Sequence, residues 1–316
     1  MTAFYLVLGL ALLLGGAEFL VKGAAGLATR LGISPFLIGL TLVGFGTSSP
    51  ELVASLQGAF QGYPGIAIGN VVGSNIANIL LILGLSGLVY PLVCDRNALK
   101  RDGTMMLIAA AAMAAVCVYG FLSREAGLVF LAGLGLYLVY TYREDKKGND
   151  GAGALHAAEA EFLTSGRTMG VVLELGMAAG GLVALVVGAS LLVDAAVEIA
   201  TRMGVSESVI GLTLVAVGTS LPELATSVLA AFRRKADIAI GNVIGSNIFN
   251  VLGIAGVVAV VKPISIPADI AAFDVWVMAA ASILFMIFAW TGARIGRVES
   301  LLLLLGYGIY VMFLLR

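Results

Sequence analysis

One histidine and two cysteines in 316 residues leave too few soft donors for a zinc, copper or iron centre, and no basis for a disulfide framework. Cys94 stands near an expected helix end and Cys117 inside an apolar run, so neither belongs to a redox motif. Charge is also scarce. Asp, Glu, Lys and Arg make up 12% of the chain, the net charge is −1, and no basic patch or nucleic-acid motif occurs, so nothing points to a nucleic-acid partner. What is abundant is hydrocarbon: 60% of residues are hydrophobic and mean hydropathy is +1.06, against about 45 to 50% apolar in soluble domains. Most of the surface must face lipid. The fold class is therefore an all-α membrane protein, with the bilayer as its main partner and no obligate protein partner evident.

Apolar windows of roughly 20 residues place ten spans near 3 to 26, 34 to 60, 65 to 90, 103 to 121, 125 to 142, 169 to 200, 206 to 232, 237 to 261, 269 to 290 and 297 to 315. Met1 to Leu14 has no basic n-region and runs on into a longer apolar helix, so it reads as an uncleaved first span. With the N-terminus outside, fourteen of the eighteen Lys and Arg fall on inside loops. By the positive-inside rule both termini then face out, in a cell membrane, and the connector at 143–168 is cytoplasmic. That connector is rich in Gly, Ala and charge and reads as flexible, with a short helix expected near Ala154–Phe162; the lone His156 in it reads as a solvated loop residue.

The chain repeats itself at a constant offset of 172 residues. Gly32 to Leu52, GISPFLIGLTLVGFGTSSPEL, aligns without gaps to Gly204 to Leu224, GVSESVIGLTLVAVGTSLPEL, with fourteen identities in twenty-one. Ile66 to Leu80, IAIGNVVGSNIANIL, aligns to Ile238 to Leu252, IAIGNVIGSNIFNVL, with twelve in fifteen. Each copy covers the second and third helices of a five-helix half, 1–142 with a repeat at 32–80 and 169–316 with a repeat at 204–252. An odd helix count per half inserts the second half from the opposite side. Two inverted halves are an architecture of secondary transporters, with the site at the repeat interface near the midplane.

The duplicated motifs carry oxygen. GTSSPE (Gly46–Glu51) and GTSLPE (Gly218–Glu223) lie mid-span, where an ionised carboxylate costs about 2.5 to 3.5 kcal/mol. Pro50 and Pro222 cannot donate to the carbonyls of Gly46 and Gly218, so helices 2 and 7 are expected to break there and free backbone carbonyls. A cation would partner those carbonyls, Glu51 and Glu223, and the hydroxyls of Thr47, Ser48, Thr219 and Ser220 together. In GNVVGSNIAN and GNVIGSNIFN, Ser74 and Asn78, or Ser246 and Asn250, are four residues apart and share a helix face. Gly69, Gly73, Gly241 and Gly245 permit close helix approach. Two carboxylates with neutral oxygen donors suit Ca2+, which takes roughly six to eight oxygens, better than Mg2+ or a soft metal. Singly, each of these residues has an ordinary reading, as a back-bonding Ser or Thr or a packing Gly; it is the duplication at fixed spacing that argues for a site.

Outside the repeats, Glu18 and Lys22 read as an i, i+4 pair, with Ser190 and Asp194 at the aligned positions. Asp102 and Asp274 read as helix-start caps, Arg30 and Arg202 as snorkelling cations, and Tyr90, Tyr142 and Trp290 as interface anchors.

At GTSSPE with GNVVGSNIAN and GTSLPE with GNVIGSNIFN, the sequence resembles the α-repeats of sodium/calcium exchangers of the cation/Ca2+ exchanger superfamily. The resemblance spans the chain. It implies a ten-helix antiporter that exchanges cytosolic Ca2+ for several Na+ in an electrogenic cycle, with no prosthetic group. It implies that Glu51 and Glu223 bind both ions, that Thr47, Ser48, Thr219, Ser220, Ser74, Ser246, Asn78 and Asn250 complete the sites, and that Gly44 and Ala216 offer backbone carbonyls. On this picture the first and sixth helices slide across the broken pair. Some relatives, potassium-dependent exchangers among them, carry Asp where Asn250 stands, which weighs against K+ co-transport. The 26-residue connector has no room for the regulatory Ca2+-binding insertion of animal exchangers. Alternatives stay open: a Ca2+/H+ exchanger of the same superfamily, an ion channel, and an intramembrane serine hydrolase using Ser48 or Ser220, for which no span supplies a histidine base.

Overall fold

A computed structural model of the chain describes residues 1–31, 44–94, 96–146 and 170–316. The expected helix at Ala154–Phe162, His156 and the second span before Gly44 lie outside the described residues. In chain order the helices are α1 (Thr2–Arg30), α2 (Gly44–Thr47), α3 (Ser49–Gln61), α4 (Pro64–Val89), α5 (Arg96–Tyr119), α6 (Arg124–Lys146), α7 (Val171–Met203), α8 (Glu207–Thr219), α9 (Leu221–Phe232), α10 (Ala236–Val261), α11 (Ile270–Gly292) and α12 (Arg297–Leu314). Among the described residues eight helices are long and apolar enough to cross a bilayer, and the bent pair α8 and α9 counts as a ninth. The span expected at 34 to 60 is described only from Gly44, as α2 and α3.

Two helices form the centre. Apolar residues surround α4 and α10 on nearly every face, and both are buried almost throughout, as a helix without a polar side must be. Close approach is set by glycine: a Cβ at Gly73 of α4 would stand 2.5 Å from the carbonyl oxygen of Leu212 in α8, and one at Gly69 would stand 3.0 Å from the Leu212 nitrogen. A Cβ at Gly245 would meet no described atom within 4 Å. Both central helices loosen into π-helical turns, at Asn78–Leu83 and Phe249–Ala255.

Beside this core α1 and α7 run antiparallel and touch along a seam of small residues. Gly9 meets Gly188, Gly16 meets Gly181, and Gly23 meets the backbone of Glu174 and Ala178; a Cβ at Gly16 would stand 2.8 Å from the Gly181 oxygen. Glu174 is buried in the seam, and Arg30 reaches it at 2.7 Å. Arg30 is therefore an inter-helix partner, contrary to the expectation that it snorkels, because the seam puts an acid within its reach. Arg202 pairs instead with Glu198 on its own helix.

Two further features depart from the sequence reading. Among the described residues four two-residue strands occur in a chain expected to be nearly all helix: β1 (Leu92–Val93) pairs antiparallel with β4 (Arg294–Ile295), and β2 (Phe121–Leu122) with β3 (Ile264–Ser265). Short extended connectors leave backbone groups that need partners, and each finds them in the other half. Asp102 and Asp274 do not cap. Asp102 accepts from Arg101 at 2.7 Å and from the hydroxyl of Tyr137 in α6 at 3.0 Å, and buried Asp274 accepts from Tyr310 of α12 at 2.9 Å. The cap at the second site is Asp269, which accepts from the Ile270 N–H at 3.0 Å.

Cys94 and Cys117 are free thiols, both buried; burial, with the charge of Asp237, pushes Cys94 up to about 12.

The seam is directly testable. Gly16→Val should destabilise the detergent-solubilised protein by about 1–3 kcal/mol through overpacking. Gly15→Val, whose Cβ meets nothing within 4 Å, should leave the thermal midpoint unchanged.

Candidate functional site

The two broken helices meet at the centre of the molecule. The breaks fall at Ser48 (φ −86°, ψ 7°), between α2 and α3, and at Ser220 (φ −82°, ψ 11°), where α8 and α9 bend by 50°. Pro50 and Pro222 occupy the first turn of the following helix, where a missing N–H costs nothing. One expectation needs correcting: the Gly46 carbonyl is not left open, since the Ser49 hydroxyl donates to it at 2.7 Å. Leu221 stands at the matching position and has no hydroxyl to do this for Gly218.

Glu51 and Glu223 lie in the first turns of α3 and α9, both 1% exposed, where a helix N-terminus favours negative charge. Each is held by the opposite repeat. Ser220 Oγ donates to Glu51 Oε1 at 2.9 Å. Ser48 Oγ donates to Glu223 Oε1 at 3.3 Å, Thr47 joins it, and Ser246 Oγ reaches the same oxygen at 3.5 Å. The two carboxylates are near enough to feel each other's charge.

The remaining expected residues gather on α4 and α10. Ser74 Oγ reaches Asn70 Oδ1 and the Ala216 carbonyl, each at 3.4 Å. That carbonyl also accepts from Thr219 Oγ1 at 3.3 Å and the Ser220 N–H at 3.1 Å, so it is already well partnered. Asn78 Nδ2 donates to Asn247 Oδ1 at 2.9 Å, tying the two central helices. Asn78 and Asn250 are both buried. Gly44 begins α2, at the edge of the described stretch.

Two asparagines were not singled out in the sequence and hold the site together. Asn70 Nδ2 donates to the Glu51 carbonyl and to Ser55 Oγ, both at 3.0 Å, while its Oδ1 accepts from Thr219 Oγ1 at 3.1 Å. Asn242 Nδ2 donates to the Glu223 carbonyl at 3.3 Å and to Ser227 Oγ at 2.9 Å. The signal was available: both asparagines sit in the duplicated GNV triplet at the same offset as the glutamates.

Among the described residues nine buried side-chain oxygens have no partner, and four of them lie here: Glu51 Oε2, Glu223 Oε2, Asn78 Oδ1 and Asn250 Oδ1. These four are acceptors, and leaving a buried acceptor unpaired costs about 1–3 kcal/mol each. They belong to the two acids and to the matching asparagines of the two repeats. An oxygen-only donor set of this kind suits a hard cation. Among the described residues His, Cys, Asp and Glu nowhere gather in threes, so no alternative soft-metal centre competes.

Comparison with known proteins agrees with this chemistry. The family model described as sodium/calcium exchanger protein matches residues 1–143 and 173–316. The putative antiporter CaxA of Alkalimonas amylolytica is 38% identical over 309 residues, covering 97% of this chain and 96% of that protein. The sodium/calcium exchanger MaX1 of Methanosarcina acetivorans is 37% identical, covering 98% and 97%. Among solved structures, the sodium-calcium exchanger NCX_Mj soaked with Na+ and Ca2+ is 35% identical, with a TM-score of 0.65 over 98% of this chain and 97% of that one.

Asn70→Leu removes the clamp on the Glu51 backbone and the amide partner of Ser55, and leaves Thr219 only its own-helix carbonyls. Cation affinity should fall roughly tenfold to hundredfold, the equivalent of about 1–3 kcal/mol, and Asn242→Leu should do the same. Equilibrium 45Ca2+ binding to the purified protein checks both.

Proposed function

Since the chain belongs to the sodium/calcium exchanger family, we propose that it is a secondary antiporter exchanging Ca2+ for Na+ at a site shared by Glu51 and Glu223. The family is one of membrane transporters, not of catalytic enzymes. The observation that carries this reading is the set of four unpartnered acceptor oxygens around two crosswise-held carboxylates. A Ca2+ ion balances two carboxylates, and several Na+ ions spread over the same oxygens compete for them. Sharing the acids couples the fluxes, because occupancy by one ion excludes the other. Thr47, Ser48, Ser74, Asn78, Thr219, Ser220, Ser246 and Asn250 would supply neutral oxygens. Gly44 would add a backbone carbonyl, and the Ala216 carbonyl, already partnered, would do so only on a shift from the arrangement described.

The proposed architecture is two inverted five-helix halves, 1–142 and 169–316, joined by a cytoplasmic connector at 143–168, with both termini outside. The antiparallel register of α1 with α7, helices that correspond under the 172-residue offset, supports the inversion. So do the strand pairs, each joining one half to the other. In the cell the proposed net flux is electrogenic Ca2+ extrusion driven by entering Na+.

In proteoliposomes, an outward Na+ gradient should drive 45Ca2+ uptake, and Glu51→Gln or Glu223→Gln should abolish it. Full uptake retained by both variants would reject the site. Uptake that follows a pH gradient and ignores Na+ would assign proton coupling instead.

A further inference from the structure

The halves correspond residue for residue through their motifs, yet their ends are not alike. At one end Gln61, the last residue of α3, donates to Asp194 of α7 at 3.0 Å, and α7 packs along α3. Shifted by 172 residues, Gln61 becomes Arg233, the residue ending α9, and Asp194 becomes Lys22 of α1. That second contact is not made. Lys22 pairs with Glu18 of its own helix at 2.5 Å, and between α1 and α9 lies a cavity of about 1000 Å3. Its walls include Glu18, Lys22 and Phe232, and it reaches Thr47, a hydroxyl partner of Glu223.

Lys22 and Arg233 carry like charges and cannot copy the amide-to-carboxylate contact of Gln61 with Asp194. Glu18, one turn before Lys22, can: its carboxylate accepts where the guanidinium donates. We propose that Glu18 of α1 and Arg233 of α9 form the reciprocal latch to Gln61 and Asp194, closing the α1–α9 cavity when the exchanger changes state. The structure is then the state open toward the Arg233 end, in which Lys22 holds Glu18 in reserve. Because α1 and α7 are joined along a glycine seam and by Arg30 with Glu174, they move as one body, and closing one latch opens the other. Glu18 and Arg233 are positioning residues: they set which face admits ions and touch none. This rests on the exchange reading above.

The cavity wall supplies the readout. Ala225 lines it, and both native cysteines are buried, so an Ala225→Cys parent in nanodiscs can be labelled selectively with a polar maleimide. Adding Asp194→Ala removes the closed latch and should slow labelling about two- to fivefold, the scale of one exposed polar contact. Adding Glu18→Ala or Arg233→Ala to that variant should restore the parent rate, whereas the swap Glu18→Arg with Arg233→Glu should leave it slow. An unchanged rate in Asp194→Ala, or failure of Glu18→Ala to restore it, overturns the latch. Equilibrium 45Ca2+ binding by the same proteins reads the site separately: if none binds while the labelling shifts persist, the exchange reading fails and the latch stands.

Discussion

Two carboxylates buried together, with a spare oxygen on each, are the constraint from which the rest of this structure follows. Burying one unpaired carboxylate costs several kcal/mol, and a second beside it adds repulsion. The protein offsets part of that cost in three ways. It breaks two helices so that each acid sits at a helix start. It brings hydroxyls across from the opposite repeat, Ser220 to Glu51, and Ser48 and Thr47 to Glu223. It clamps each glutamate backbone with an asparagine, Asn70 or Asn242. What these devices leave unpaired is the second oxygen of each acid, and the proposed cation would be its partner.

Packing serves the same end. α4 can carry Asn70, Ser74 and Asn78 to the centre because Gly69 and Gly73 let it lie against the backbone of α8. Asn78 and Asn250 lie within the π-helical turns Asn78–Leu83 and Phe249–Ala255, and each has an unpartnered oxygen. The glycine seam joins α1 to α7 as a pair lying beside both broken helices.

Much of this was legible in the sequence, because the relevant signals are long or doubled. Apolar runs pointed to most of the spans described, and a motif repeated at one offset pointed to both acids and their hydroxyls. What escaped depends on contacts between distant segments. Duplication marks Asn70 and Asn242, but their role as clamps shows only when the Glu51 and Glu223 carbonyls are seen beside them. Asp102 and Asp274 sit where a cap is expected, and only the packing of α6 and α12 reveals the tyrosines that hold them. Arg30 reads as an interface cation because Glu174 lies 144 residues away. The four short strands carry no periodicity at all. The Gly46 carbonyl was expected to open at Pro50, and the neighbouring Ser49, a local competitor for that acceptor, takes it.

The central claim is that one cation is held jointly by acids from the two halves. Anomalous diffraction from crystals soaked in Sr2+ tests it most directly. The account predicts a single strong peak about 2.3–2.6 Å, or slightly more for the larger ion, from both Glu51 Oε2 and Glu223 Oε2, lost when Na+ is raised. A peak touching one glutamate only, or one that Na+ leaves unchanged, would contradict it.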